Sequence, residues 1–375
     1  LRLIGGRASF AHGFERVVAW AHERDAWLVC LPGTDALDPE LTAVSTAGVP
    51  VAHEAFAYLQ LGGLGNYAHC LRFLADHLLA TGHGFDAPEP QPRHGLYHPD
   101  VPDATPEALR AVHDPTRPTA GILFYRSHLL SGNTAFVDAL VRACEAQGLN
   151  ALPVFTYSLK DQSEGEADTR AANAAPGIGS TGARPPLVPG RDGGGYPLAV
   201  ANPAPRVDDD SLAASLPAAF RHFLRDGKPA VDVIINTTSF AMGGVNPHGP
   251  TMGGWSVEAL ARLDVPVLQA ITASTTRPQW EGSKRGLSPL DVAMNVAIPE
   301  FDGRIIGMPI SFKEPLAPNG RPASSDPLYY APDEERVARL VGQATRLAAL
   351  RRKPNAEKRV AFVLTNSTAK ASRIG

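Results

Sequence analysis

Residues Gly121 to Asp161, GILFYRSHLLSGNTAFVDALVRACEAQGLNALPVFTYSLKD, leave a chain few ways to fold. Gly121–Tyr125 is an apolar run long enough for a buried strand. A polar loop, Arg126–Thr134, follows it and holds Arg126, His128, Ser131 and Asn133. Phe136, Leu140, Val141 and Cys144 recur at helical spacing, and Gly148 supplies a helix stop. Leu152–Tyr157 then reads as a second strand. Strand, crossover helix and strand in so short a span predict a parallel sheet. Ligands of such sheets bind beyond the carboxyl ends of the strands, where the Arg126 loop lies.

The 375 residues exceed one typical domain, and 44% of them are hydrophobic, enough for real cores. A net charge of −3 offers no electrostatic footprint for nucleic acid or an anionic membrane. Cys30, Cys70 and Cys144 stand far apart in apolar contexts, and an odd count argues against a disulfide framework. Each is expected to be a small buried residue. With no signal peptide and no apolar run of about 18 residues, a cytoplasmic protein is expected. The chain opens on Leu1 inside a strand-like LRLIGG and stops just after a strand-like Arg359–Leu364, so an internal fragment of a longer protein is expected.

The expected fold class is α/β, with parallel-sheet domains and flanking helices. An N-terminal α/β domain is expected over residues 1–90. Its strands are Leu1–Ile4, Trp27–Leu31 and Val49–Val51, and its helices Phe14–Glu23 and Asn66–Leu79. Residues 91–118 read as a proline-rich connector. A second α/β domain, residues 119–352, carries an insertion at 164–210 that is rich in Gly, Pro, Ala and Asp and lacks periodicity. Within it, Leu212–Arg225 reads as a helix and Val231–Phe240 as a strand. Ser256–Leu263 reads as a helix capped by Ser256, and Val265–Ala270 as a strand. Ser288–Ala297 is a helix with Pro289 at its first position, and Asp333–Arg352 a long amphipathic helix. Residues 353–375 begin a further unit.

Three strand ends carry polar or glycine-rich loops: Arg126–Thr134, Thr237–Gly254 and Thr272–Gly286. Sharing one sheet edge, they would line a cleft holding Arg126, His128, Asn236, Thr237, Thr238, His248, Thr275, Trp280, Glu281 and Lys284. His128 can contact a ligand or metal, or cap local backbone. Arg126 can hold a substrate carboxylate, or a structural one. Gly243, Gly244, Gly253 and Gly254 lack the GxxxxGK[ST] pattern, so they favour close approach to a bulky ligand over phosphate binding. His248, between Pro247 and Gly249, is expected on the loop surface. Trp280 can stack on a flat ring, and Glu281 can serve as base or metal ligand. Glu300, after a long apolar stretch, is expected to be partly buried with a raised pKa, or else to cap the next turn or pair with Arg304. No HxxxH, HExxH or GxSxG pattern is present, which disfavours protease and ordinary hydrolase chemistry.

The Gly121–Asp161 block resembles the hallmark segment of the CobN family, the large subunits of aerobic cobaltochelatase. The resemblance continues through VDVIINTTSFAM, through the long stretch from VPVLQAITASTTRPQWEGSKRGLSP to GRIIGMPISFKE, and through LRRKPNAEKRVAFVLTN. LRLIGGRASFAHGFERV resembles an early family stretch. Magnesium-chelatase large subunits are similar in architecture and share a turn like Pro299–Gly303, but ITASTTRPQWEGSKRGLSP looks closer to the cobalt branch. Family members are far longer than this chain.

The resemblance implies a subunit that binds the corrinoid tetrapyrrole hydrogenobyrinic acid a,c-diamide and inserts Co(II). It implies ATP, with its Mg, hydrolysed by a CobS-like AAA+ partner, together with a CobT-like subunit. No recognisable motif in this chain binds a cofactor. Exchange of two ring N–H protons for a metal calls for a carboxylate or imidazole that accepts them. Glu300 is the first choice, Glu281 the second, and His128 completes the catalytic candidates. Glu300 and His248 are the metal-donor candidates. Arg126, Asn133, Thr238, His248, Thr275, Trp280 and Lys284 are the substrate-binding candidates. The fragment alone is expected to be inactive. The readings left open are a magnesium chelatase subunit acting on protoporphyrin IX, a small-molecule-binding module without chemistry, and an inactive chelatase fragment.

Overall fold

A computed structural model describes residues 1–3, 5–34, 36–102, 104–159, 212–246, 254–315 and 328–363. It divides into two compact units. One comprises Leu1–Gly95, Phe124–Thr134 and Val154–His222; the other comprises Leu96–Leu123, Ala135–Pro153 and Phe223–Gly375.

The first unit is mainly helical. Helix α1 (Ala11–Glu23) buries Phe14 and Ala21 against Leu3, Leu28, Cys30 and Leu41. Helices α2 (Val49–Leu61) and α3 (Leu64–Leu79) share a second cluster built on Ala52, Ala55, Phe56, Tyr58, Cys70 and Phe73. The strand expected at Val49–Val51 is instead the first turn of α2. Pro50 sits where a helix needs no N–H donor, and the helix after it is buried at Ala52, along Ala55–Tyr58 and at Leu61. The strand expected at Trp27–Leu31 is largely missing as well. Only Leu31–Pro32 pairs, parallel to Arg2–Leu3. Upstream, the N–H groups of Leu28 and Cys30 donate to the hydroxyls of Thr46 and Ser45, which replaces a neighbouring strand.

The expected α/β class with a mostly parallel sheet is what the structure has. Its strands are β1 (His94–Leu96), β2 (Thr119–Tyr125), β3 (Asn150–Thr156), β4 (Val233–Asn236), β5 (Val267–Ala273), β6 (Ile305–Pro315) and β7 (Leu328–Pro332). The seven-stranded order is β7-β6-β5-β4-β2-β3-β1. The pairs β2–β4, β4–β5 and β5–β6 are parallel, and β7 closes the edge antiparallel to β6. β4 and β5 are buried at every position, as a strand covered on both faces must be. Helix α4 (Ala135–Ala146) buries Phe136, Val137, Leu140, Val141 and Cys144. It packs on α5 (Glu334–Arg352), whose buried stripe is Val337, Leu340, Val341, Ala344 and Ala348. Asp333 caps α5 by accepting the Arg336 N–H.

Three further expectations change. Leu212–Arg225 is not one helix: a turn at Leu212–Ser215 gives way to a 3₁₀ segment, Ala218–Phe223, because Pro217 cannot donate to a continuing helix. The helix read as Ser288–Ala297 starts as expected, with the Ser288 hydroxyl capping Asp291 N–H, then widens into a π turn over Ala293–Ala297. Residues 358–363 form no strand, and Val360, Phe362 and Val363 are exposed.

Candidate functional site

At the carboxyl end of β4, beside Gln269 within β5 and just before the start of β6, lies a buried polar network. Asn236 ends β4, and Thr237 and Thr238 follow it; all three are buried. Asn236 Nδ2 donates to Gln269 Oε1 of β5 at 2.7 Å, and Gln269 Nε2 donates to the Thr238 carbonyl at 3.0 Å. Thr238 Oγ1 returns a bond to Asn236 Oδ1 at 2.8 Å. Arg304, immediately before β6, reaches the same cluster: its Nη1 donates to Gln269 Oε1 at 3.0 Å and its Nη2 to the Phe240 carbonyl at 2.9 Å. Nη2 also meets Asp302 Oδ2 at 2.7 Å, an ion pair with both side chains almost fully enclosed. Asp302 accepts the N–H groups of Met242 and Gly243 at 2.7 and 2.9 Å, anchoring the start of the glycine-rich loop. These bonds offset the desolvation of two buried charges.

A second buried carboxylate holds the adjoining loop. Asp291 accepts the Ser274 N–H at 3.1 Å and the hydroxyls of Ser274 and Ser288 at 2.9 and 2.8 Å. Asn295, in the π turn, accepts the Ser239 hydroxyl at 2.6 Å. π turns are frequent at functional sites, and this one lies between the loops after β4 and β5.

The candidate residues divide between the two units. In the first, Arg126 is buried, and the expected loop opens with a helical turn, Arg126–Leu130. Its guanidinium donates to the carbonyls of Gln91, Pro92 and Leu61 and lies 5.4 Å from the Tyr157 ring centre. In this structure it therefore ties backbone segments together. His128 is partly buried, and its carbonyl accepts the Asn133 N–H at 2.8 Å. In the second unit, Thr238 is in the buried network. Thr275 Oγ1 is buried with no hydrogen-bond partner among the described residues. Trp280 packs against Phe312, with ring centroids 5.3 Å apart, and the Arg336 guanidinium lies 4.7 Å from its ring centre. Glu281 is exposed and accepts Arg277 Nε at 2.7 Å, and Lys284 is exposed. Arg277 also lines an open cavity of about 410 Å³ beside Phe312, Glu314 and Asp333. His248 lies outside the described residues.

Glu300 is exposed, not partly buried as expected. It ends the short helical turn Ile298–Glu300, and its carbonyl accepts the Gly303 N–H at 2.9 Å. The buried carboxylate of this turn is Asp302, which also takes the Arg304 pairing considered for Glu300. Sequence reading passed over Asp302, Asp291 and Gln269, and took Arg304 only as a partner for Glu300. The available signal was a charged Asp-Gly-Arg between an apolar helix and an apolar strand, and a Gln inside VLQAITA. The arrangement presents Glu300 to solvent on a turn pinned from below by a buried ion pair. Such a carboxylate can take protons or meet a cation. Among the described residues, no group of three or more His, Cys, Asp or Glu could hold a metal ion. No described helix is long and apolar enough to cross a membrane.

Comparison with known proteins is consistent along the chain. It is 37% identical over 375 residues to the aerobic cobaltochelatase subunit CobN of Pseudomonas aeruginosa, covering 100% of this chain and 25% of that protein. It is 29% identical over 290 residues to the H-type magnesium-chelatase subunit of Rhodobacter capsulatus, covering 74% and 19%. The solved catalytic subunit of cobaltochelatase from Mycobacterium tuberculosis matches with a TM-score of 0.59 and 33% identity, over 100% of this chain and 25% of that one. The chain thus spans about a quarter of the length of the first of these relatives. The family model described as CobN/Magnesium Chelatase matches residues 56–177 and 196–375. The chain belongs to the CobN/Magnesium Chelatase family.

Proposed function

We propose that this chain is part of a tetrapyrrole-binding subunit of cobaltochelatase. It would insert Co(II), as substrate, into the corrinoid hydrogenobyrinic acid a,c-diamide. The observation that carries this reading is the 37% identity to a CobN subunit along the entire chain, against 29% over 74% of it for a magnesium-chelatase subunit. The magnesium and protoporphyrin IX reading stands second on that same contrast. ATP hydrolysis belongs, in this proposal, to a CobS-like AAA+ partner that works with a CobT-like subunit in the cytoplasm.

Insertion replaces two ring N–H protons with one metal ion, so an acceptor must take them as the metal–nitrogen bonds form. Glu300 is the first choice for this role, supported by its exposure on a turn that Asp302 and Arg304 hold. Glu281 is the second choice, though its bond to Arg277 competes for the same oxygen. His128 and His248 remain as supporting donors. Arg126, Asn133, Thr238, Thr275, Trp280 and Lys284 remain substrate-binding candidates, with Thr238 and Arg126 the most enclosed.

The test is cobalt insertion by the full chain with its partner subunits, comparing wild type with Glu300→Gln. The variant should lose roughly 100-fold or more in rate while corrinoid affinity changes little, as for removal of a general base. Cobalt insertion by Glu300→Gln at the wild-type rate would remove Glu300 from the chemistry. Insertion of magnesium into protoporphyrin IX, and not cobalt into the corrinoid, would overturn the cobalt assignment.

A further inference from the structure

The network that holds the Glu300 turn also holds an aromatic residue in a costly backbone conformation. Phe240, four residues after the end of β4, has φ 65°. The other described non-glycine residues with positive φ are Asp25, Ala80, Asp226 and Asp264, small or polar side chains. A phenylalanine is disfavoured in the left-handed region, where glycine sits without strain. The strain persists because both backbone polar groups of Phe240 are committed. Its N–H donates to the Met294 carbonyl of the π turn at 3.1 Å, and its carbonyl accepts Arg304 Nη2 at 2.9 Å. That same Nη2 binds Asp302 Oδ2 at 2.7 Å, so one nitrogen ties the Phe240 backbone to the turn that carries Glu300.

The strain secures no burial for the ring. Phe240 is 53% exposed, and Phe301, next to Glu300 in the chain, is 64% exposed. A large apolar ring held in a strained conformation and left facing water points to a partner that covers it. The turn that Arg304 links to it carries an exposed carboxylate, Glu300, and a second exposed phenyl ring, Phe301, which suit a flat conjugated molecule with polar atoms at its centre. We infer that Phe240 is a ligand-contacting residue that offers its ring to the face of the tetrapyrrole, and that Arg304 is the positioning residue that keeps it there. This rests on the tetrapyrrole reading proposed above. It adds a binding residue that acts on affinity and leaves proton transfer to Glu300.

The test is titration of the full chain with the corrinoid diamide, followed by the ring's absorbance, with melting temperatures measured alongside. The variants are Phe240→Ala, Phe240→Gly, Phe240→Trp and Glu300→Gln. Phe240→Ala and Phe240→Gly should weaken binding about tenfold, the scale of an aromatic contact with its buried area. Phe240→Trp should bind like wild type. Phe240→Gly should melt above Phe240→Ala, because glycine takes up the positive φ without strain. Wild-type affinity in Phe240→Ala and Phe240→Gly, with wild type itself binding, would overturn the role of Phe240 and leave the chelatase reading standing. Melting of both Phe240→Ala and Phe240→Gly well below wild type would assign the ring to packing and overturn the inference. No binding by wild type with an intact melting transition would remove the tetrapyrrole reading and this inference with it.

Discussion

Two carboxylates stand two residues apart in Pro299–Gly303 and have opposite physical situations. Asp302 is enclosed, paired with Arg304 and bonded to two backbone N–H groups; Glu300 faces solvent. Asp302→Ala would strand a buried guanidinium and two N–H groups, so a loss of about 3–5 kcal/mol is expected in denaturant unfolding. Glu300→Gln should move the same midpoint by less than about 0.5 kcal/mol, since nothing buried depends on it. That contrast separates the carboxylate that builds the site from the one available to act in it. The cysteines behave as their apolar contexts implied: all three are free and buried. Burial pushes the Cys144 thiol up to about 12 and the Cys70 thiol up to about 11. Alkylation of the native chain at pH 8 should therefore be slow at both and become fast on unfolding, as read by mass spectrometry.

At the scale of elements, the parallel core was legible because strand and helix periods differ and its strands hold short apolar runs such as Ile122–Phe124 and Val233–Ile235. Helix α2 was misread because Val-Pro-Val looks extended over three residues, and a helix buried on most sides, as along Ala55–Tyr58, shows no clear period to correct it. Strand β6 shows a constraint no period reveals. A Cβ on Gly307 would lie 2.6 Å from the Gln269 carbonyl oxygen of β5 and 2.6 Å from Leu340 Cδ1 of α5. The strand therefore needs a residue with no side chain where β5 and α5 both press on it. Gly307→Ala should cost about 1–3 kcal/mol by overpacking. An unchanged thermal midpoint would mean that β6 can shift without loss.

For the whole molecule, stability should depend on pH through His222. Its Nε2 lies 2.9 Å from His94 Nδ1, and burial, then the charge of His94, lowers its pKa from 6.5 to about 4. The unfolded chain binds this proton more readily than the native chain between those values. Stability is thus complete above about pH 6.5 and falls as pH drops toward 4, by up to roughly 3 kcal/mol. Urea midpoints at pH 7 and pH 4.5 should show that fall, and His222→Gln should flatten it. By itself the sequence determined the α/β class, the parallel crossover, the helices that begin near Ser288 and Asp333, and the family, because these rest on local period and long matching segments. Only the tertiary structure decided which polar residues are enclosed. Asp302 and Arg304 come from one stretch and Gln269 and Asn236 from two others, and their partners are set by strand order, which spacing along the chain does not encode. The same holds for Glu300: whether a carboxylate after an apolar run is buried or exposed depends on which way its turn faces, and here Asp302 took the inward position.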